Sequence, residues 1–260
     1  MRRVLFTICA RAGSKGLKNK NVQNLMNIPL VYYTLAAIDE YRGKHPDEEI
    51  VVAANTDSKE IIQQIQQQKV ISDIRFIERK EDLADDLSAK VDVIKDTYLN
   101  VIKSEGVFDT VVDLDLTSPL RGLKDIEGTI NQLVSNEDYD LAFSVVNSRR
   151  NPYFNMVEEK GDTFYKKVCD SNFTARQQTP KCYELNASIY AYRPSFLNSK
   201  IDKTILDYKC GIWIMKDYLV LDIDSGEDFK DLEYLLPYYI ENDEDIFELR
   251  QRALEIYESV

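Results

Sequence analysis

Residues 9–21 read Cys9-Ala10-Arg11-Ala12-Gly13-Ser14-Lys15-Gly16-Leu17-Lys18-Asn19-Lys20-Asn21. The run before them, Val4-Leu5-Phe6-Thr7-Ile8, is short, apolar and rich in β-formers, so the stretch leaves the end of a buried strand. After it, Pro29-Leu30-Val31-Tyr32-Tyr33-Thr34-Leu35 opens an apolar helix. Gly13, Ser14 and Gly16 let backbone N–H groups close around an anion, and Arg11, Lys15, Lys18 and Lys20 crowd positive charge into the same turn. A turn with solvated lysines is the plain alternative. The charge density at the carboxyl end of a first strand favours a polyphosphate cradle. Two common nucleotide loops are absent: Lys15 precedes its second glycine, which excludes G-x-x-x-x-G-K-[ST], and the spacing of Gly13 and Gly16 excludes G-x-G-x-x-G. A nucleotide fits; an ATPase or a dehydrogenase does not.

The background is acidic, with a net charge of −12 over 260 residues, which argues against general nucleic-acid affinity and makes the cationic loop stand out. Hydrophobic residues make up 44% and charged residues 30%, as in a globular chain long enough for one large α/β domain. No run reaches the ~18 apolar residues of a membrane span. The N-terminus enters a strand directly, without a signal-peptide layout, so a cytoplasmic enzyme is expected. Cys9, Cys169, Cys182 and Cys210 lack C-x-x-C spacing and read as buried free thiols. The single histidine, His45, lies in a loop, which excludes multi-histidine metal sites and most Ser-His-Asp or Cys-His relays. Catalysis must then rest on carboxylates, cations and a hard metal.

Apolar strands alternate with helical patterns through the first half, as in βαβ units and a mainly parallel sheet with helices on both faces. Strands are expected at 4–8, 49–54, 74–77, 110–116 and 140–146, and helices at 29–42, 58–68, 88–103 and 123–136. Residues 147–185 break the rhythm and read as an inserted arm for subunit contact or substrate covering. Strands at 185–192, 210–215 and 218–221, a helix at 226–236 ending at Pro237, and an amphipathic helix at 243–258 complete one domain spanning 1–260.

Ligands of open parallel sheets gather beyond the carboxyl ends of the strands. That rule collects the first loop, Asn55-Thr56-Asp57, Arg79, Thr117-Ser118 and Asp222-Ile223-Asp224. Two carboxylates two residues apart at a strand end point to the same side and suit Mg²⁺, which takes one or two carboxylates with waters and phosphate oxygens. Capping of the following helix could account for Asp224 but not for Asp222.

Taken together, Ala10-Arg11-Ala12-Gly13-Ser14-Lys15-Gly16-Leu17 with Lys20-Asn21, Thr117-Ser118-Pro119-Leu120-Arg121, Arg176-Gln177-Gln178 with Pro180, Asn186-x-x-Ile189-Tyr190 and Asp222-Ile223-Asp224-Ser225 resemble the acylneuraminate cytidylyltransferases, the CMP-sialic acid synthetases. The resemblance runs in order over at least residues 3–240. It implies a Rossmann-like nucleotidyltransferase domain, a homodimer or a tetramer built from it, and transfer of the cytidylyl group of CTP to a nine-carbon 2-keto sugar acid. By that pattern Arg11, Lys15, Asp222 and Asp224 are catalytic, and Asp222 and Asp224 hold the Mg²⁺. Arg11, Ala12, Gly13, Ser14, Lys15, Lys20, Asn21, Arg79 and Ser88 bind the nucleotide. Asp115, Thr117, Ser118, Arg176, Gln178, Asn186 and Tyr190 face the sugar, with the 147–185 arm crossing to the partner's crevice.

Two departures bear on the acceptor. The family's L-Q-P-T-S-P-L-R is here Leu114-Asp115-Leu116-Thr117-Ser118-Pro119-Leu120-Arg121, so an amide becomes an acceptor-only carboxylate at Asp115. The arm reads Pro152-Tyr153-Phe154-Asn155, closer to the branch acting on bacterial relatives of sialic acid such as legionaminic acid. Asp115 then either selects a modified acid or simply bonds Thr117 or Ser118. The family's Asn-Gly is also Asn186-Ala187 here. Rival readings are a cytidylyltransferase for 3-deoxy-octulosonate, another sugar nucleotidyltransferase, and a non-catalytic nucleotide-binding protein.

Overall fold

The computed structural model describes residues 1–13, 17, 19–85, 88–161 and 164–260. The elements in chain order are β1 (Arg3–Cys9), β2 (Asn24–Leu25), β3 (Ile28–Pro29), α1 (Leu30–Lys44), β4 (Glu49–Thr56), α2 (Lys59–Gln67), β5 (Arg75–Glu78), α3 (Lys90–Glu105), β6 (Thr110–Leu114), α4 (Leu123–Val134) and β7 (Leu141–Asn147). Then follow β8 (Val157–Lys160), β9 (Phe164–Lys167), β10 (Tyr183–Tyr192), α5 (Pro194–Asn198), β11 (Cys210–Ile214), α6 (Gly226–Asn242) and α7 (Glu244–Glu258).

Seven strands form the central sheet in the order β11-β7-β10-β6-β1-β4-β5. All pairs are parallel except those made by β10, which runs against β6 and β7. From β1 the chain steps outward through β4 and β5, then returns to the other side at β6. The loops leaving β1 and β6 therefore diverge at a switch point, which leaves a crevice between them.

Strand alternation divides the interior in two. Val4, Phe6 and Ile8 of β1 pack with α1, α4, α6 and α7, while Leu5 packs with α3 and α5. Both faces are covered, so the strand reads as a continuous apolar run. On the α3 side the alternation also sets Thr7 beside Asp113, neighbours in the β1–β6 register. Trp213 of β11 lies against α4 where Gly128 has no side chain; a Cβ there would sit 2.3 Å from the indole ring.

The structure departs from the sequence expectations at several points. A small hairpin, β2–β3, precedes α1, and Pro29 is extended within it (φ −52°, ψ 134°) instead of occupying the first helical turn. Residues Asp217–Val220 form a 3₁₀ turn, not a strand: Leu219 is buried, and its carbonyl accepts a hydrogen bond from the Asn186 side chain. Pro237 lies inside α6, because Leu232, Leu236 and Tyr239 continue one buried stripe past it. The inserted segment holds a separate two-stranded sheet, β8–β9, with Val157, Phe164 and Tyr165 exposed. The four cysteines are half-buried free thiols, not fully buried ones. In β10 the register shifts between Leu185 and Tyr190, and Ala187 takes a positive φ of 54°, a conformation better suited to the family's glycine.

Candidate active site

A cleft of about 220 Å³ opens at the switch point. One wall is cationic. Arg11, Lys20 and Asn21 come from the segment after β1, and Arg79 follows β5. Asn21 shapes this wall by donating from Nδ2 to the Arg11 carbonyl at 3.0 Å, and the Ala12 N–H donates to Asp57 Oδ1 at 2.7 Å. Gly13 takes φ +69°, left-handed backbone that glycine adopts without strain. The Arg11 guanidinium reaches the Ala84 carbonyl at 3.4 Å. Arg79 is buried and donates to the Asn55 side chain at 3.2 Å and to its carbonyl at 3.3 Å; burial lowers its pKa from the usual arginine value. Ser88 lines the cleft, but its hydroxyl turns back on its own loop, with the Asp82 carbonyl at 2.9 Å and Asp85 Oδ1 at 2.6 Å as acceptors in reach of its one O–H. Ser14 and Lys15 lie outside the described residues.

The opposite wall is built around Lys90, the first residue of α3. Its ammonium lies 2.8 Å from Asp113 Oδ2 and 2.5 Å from Asp115 Oδ2, and 5.3 Å from the centroid of the Tyr190 ring. Asp113 is wholly buried in β6, and its Oδ1 accepts from the Thr7 hydroxyl at 2.7 Å. Asp115 Oδ1 accepts from both the backbone N–H and the hydroxyl of Thr117, each at 2.9 Å. Burial alone would raise the Asp115 pKa, but Lys90 and the Thr117 bonds outweigh it and hold the carboxyl down at about 2. Burial opposes the charge on Lys90 as well, and the two aspartates outweigh it, so that pKa moves up. Of the two expectations for Asp115, the bond to Thr117 is present, and it coexists with a place in the cleft.

The Asp222–Asp224 segment reaches the same region by a different route. It follows a 3₁₀ turn instead of a strand, and the Ile223 N–H pins it to the Thr117 carbonyl at 2.8 Å. Asp222 is half-buried; its Oδ1 is buried and has no hydrogen-bond partner among the described residues. Burial, reinforced by Asp115, raises its pKa. Asp224 is 75% exposed and pairs with Lys20 Nζ at 2.9 Å, so the cationic loop and the aspartate pair meet at one place. Capping of α6 belongs to Ser225, which accepts from the Glu227 and Asp228 N–H groups, so neither aspartate is needed for it. An orphaned buried carboxylate oxygen beside an exposed carboxylate is a donor set that fits a hard cation. No group of three or more His, Cys, Asp or Glu among the described residues is arranged to hold a metal, so remaining ligands would have to come from phosphate and water.

Several expected sugar contacts are not in this cleft. Ser118 is buried, and its carbonyl, with that of Asp115, accepts from Arg121; the fully buried Arg121 also donates to the Ser188 carbonyl at 2.9 Å. Asn186 is buried, with Oδ1 accepting from Ser144 at 2.7 Å and Nδ2 donating to Leu219 O and Met215 Sδ. Both act as clamps on the chain around β10. Tyr190 is buried beneath Lys90, with its phenol pushed up to about 12 by burial. Arg176 and Gln178 sit on an exposed turn of the arm. Arg176 donates to the Ser148 carbonyl at 2.9 Å, and Gln178 Oε1 accepts from the Thr174 and Ala175 N–H groups. His45, between α1 and β4, lies at the amino ends of the strands, the end opposite the cleft, against Glu127 at 2.9 Å. The sequence reading missed Lys90 and Asp113. The available signal was Asp113 itself, a charge in the middle of an apolar strand that needs a buried partner.

Comparisons with known proteins place the chain in a family. Post-translational flagellin modification protein B of Campylobacter coli is 36% identical over 241 residues, covering 91% of this chain and 96% of the relative. CMP-N,N'-diacetyllegionaminic acid synthase of Campylobacter jejuni is 36% identical over 238 residues, with the same coverage of each. Among solved structures, CMP:2-keto-3-deoxy-manno-octonic acid synthetase complexed with CTP superposes with a TM-score of 0.64 at 14% identity, over 91% of this chain and 99% of that one. A 4-diphosphocytidyl-2C-methyl-D-erythritol synthase gives 0.60 at 9% identity over the same shares; at such identities these two speak for the fold. The family model for cytidylyltransferase matches residues 5–246, a span that takes in the cationic loop, the Lys90 wall and the aspartate pair alike, and the chain belongs to the cytidylyltransferase family.

Proposed function

We propose that the protein is a CMP-nonulosonate synthetase, transferring the cytidylyl group of CTP to the anomeric hydroxyl of a nine-carbon 2-keto sugar acid of the legionaminic type. The observation that carries this reading is the Lys20–Asp224 ion pair at 2.9 Å, which ties Lys20, a cleft-lining residue of the cationic loop, to the aspartate pair. The Campylobacter jejuni relative, named for a diacetyllegionaminic acid, supports the choice of acceptor class.

In the reaction the anomeric hydroxyl gives up its proton to solvent and its oxygen bonds to the α-phosphorus, the bond from that phosphorus to the bridging oxygen breaks, and pyrophosphate leaves with the electron pair. The protein's task is alignment and charge compensation. Arg11 and Lys20, with Lys15, offset charge on the triphosphate and the departing pyrophosphate. Asn21 holds the loop and Arg79 stands at the nucleotide end. Asp222 and Asp224 are the residues that would hold Mg²⁺, which supplies compensation of phosphate charge and acidification of the attacking hydroxyl when bound. Arg176 offers a planar fork for the sugar carboxylate. Because it is on the exposed arm and outside the cleft of its own chain, the arm is assigned to reach the crevice of a second copy in a homodimer. No described helix is long and apolar enough to cross a membrane, and a cytoplasmic location is part of the proposal.

The test is pyrophosphate release from each of the four NTPs with sialic, legionaminic, pseudaminic and octulosonic acids, with and without a chelator. CTP with a nonulosonic acid is expected to be turned over and the chelator to stop it. Asp222→Asn is expected to lower kcat/KM by about a hundredfold or more. Preference for octulosonic acid, or turnover that survives both the chelator and Asp222→Asn, would refute the assignment.

A further inference from the structure

We infer that Lys90 determines acceptor specificity, presenting an N–H donor to an acylamido carbonyl of the sugar acid while Asp113 and Asp115 hold it in place; this rests on the function proposed above. Two carboxylates stand at 2.8 and 2.5 Å from one ammonium, which leaves a further N–H, and the side chain is 31% exposed at the cleft. The ion pairs and the Tyr190 ring beneath restrict where that donor can point.

Charge decides which part of the bound substrates lies here. Lys90 carries one positive charge against the two negative charges of Asp113 and Asp115. That wall is net negative, so it repels a triphosphate, which the Arg11, Lys20 and Arg79 side attracts. A neutral, oxygen-rich group suits the Lys90 wall: it accepts from the ammonium without adding charge. The departure at Asp115 gains a physical meaning. Where the family pattern has a neutral amide, this chain has a carboxylate whose oxygens are already engaged by Thr117 and Lys90, so Lys90 and not Asp115 faces the ligand.

The experiment uses the full-length protein with CTP and two acceptors, a mono-acylamido and a di-acylamido nonulosonic acid, in a pyrophosphate-release assay. The variants are Lys90→Arg, Asp115→Gln and Lys90→Gln/Asp115→Gln. Asp115→Gln keeps the Lys90–Asp113 pair, so it tests the idea even if the double variant folds poorly. The wild type is expected to prefer the di-acylamido acid. Each variant is expected to raise KM for that acid by about tenfold while KM for CTP stays within about twofold. The idea is overturned if the preference between the acids is unchanged in all variants, or if KM for CTP rises in step with that for the acid. A wild type that releases pyrophosphate with neither acid overturns the functional assignment and this inference together, whereas turnover with unaltered preference overturns this inference alone.

Discussion

Two regions of the molecule set a single cation among several carboxylates, with opposite results. In the cleft, Lys90 stands between Asp113 and Asp115 and touches both, and Asp115 titrates at about 2. In the groove between α1 and α7, Arg252 is occupied by Asp39, 2.6 Å from its Nε, and by Glu255. Glu40, beside them, is left to burial and to the charge of Glu248, and its carboxyl is pushed up to about 7. The local composition is alike. What differs is whether the cation reaches the buried acid, because the desolvation of a carboxylate is offset only by a partner within a few ångströms.

Three experiments would break or sharpen that contrast. The largest effect is expected from Lys90→Met, which strands the wholly buried Asp113; unfolding by urea should show a loss of about 3–5 kcal/mol. Arg252→Met, at a side chain 35% exposed, should lose no more than about 1 kcal/mol in the same assay. Equal losses would remove the distinction.

The next effect is acid-dependent. The folded-state pKa of Asp115 lies below its unfolded value of 3.8, so its stabilisation is complete above about pH 4 and is lost as pH falls through about 2. That loss should be about 2 kcal/mol, seen as a drop in urea midpoint on acidification that is shallower in Asp115→Asn. A smaller pH-dependent effect belongs to Glu40. Its folded pKa is raised, so the folded state binds the extra proton between pH 4.5 and about 7, and stability falls as pH rises across that window. Glu40→Gln should therefore stabilise by about 1–2 kcal/mol at pH 8 and by little at pH 4, read as a Tm difference. Stabilisation of the same size at both pH values would mean that the carboxyl is not desolvated.

The two halves of the cleft were not equally legible. Arg11, Lys20, Asn21 and Arg79 were found from their positions after strands, because a short apolar β-former run ending in a polar turn is a local signal and parallel sheets gather their strand ends. Lys90 carried no such signal. It begins a helix, where a lysine ordinarily faces water, and only the β1–β6 register reveals that Asp113 lies under it. Ser118 and Asn186 sit in recognisable motifs, yet Ser118 is enclosed with Arg121 and the Asn186 amide is engaged in the interior. Motif membership located the segment without saying which way each side chain turns.

From residues alone came the α/β class, the switch-point cleft and the cationic loop, all of which follow from short-range periodicity and charge spacing; the expected pairing of Asp222 with Asp224 at a strand end met a 3₁₀ turn instead, with Asp222 half-buried and Asp224 exposed. Tertiary structure decided which acids are compensated, that residues 217–220 coil into a turn, that α6 continues through Pro237, and which polar side chains face the cleft. The reason is physical. Backbone preference is set by neighbours within a few residues, whereas burial and ion pairing depend on groups such as Thr7, Lys90 and Asp113 that are brought together only when the sheet forms.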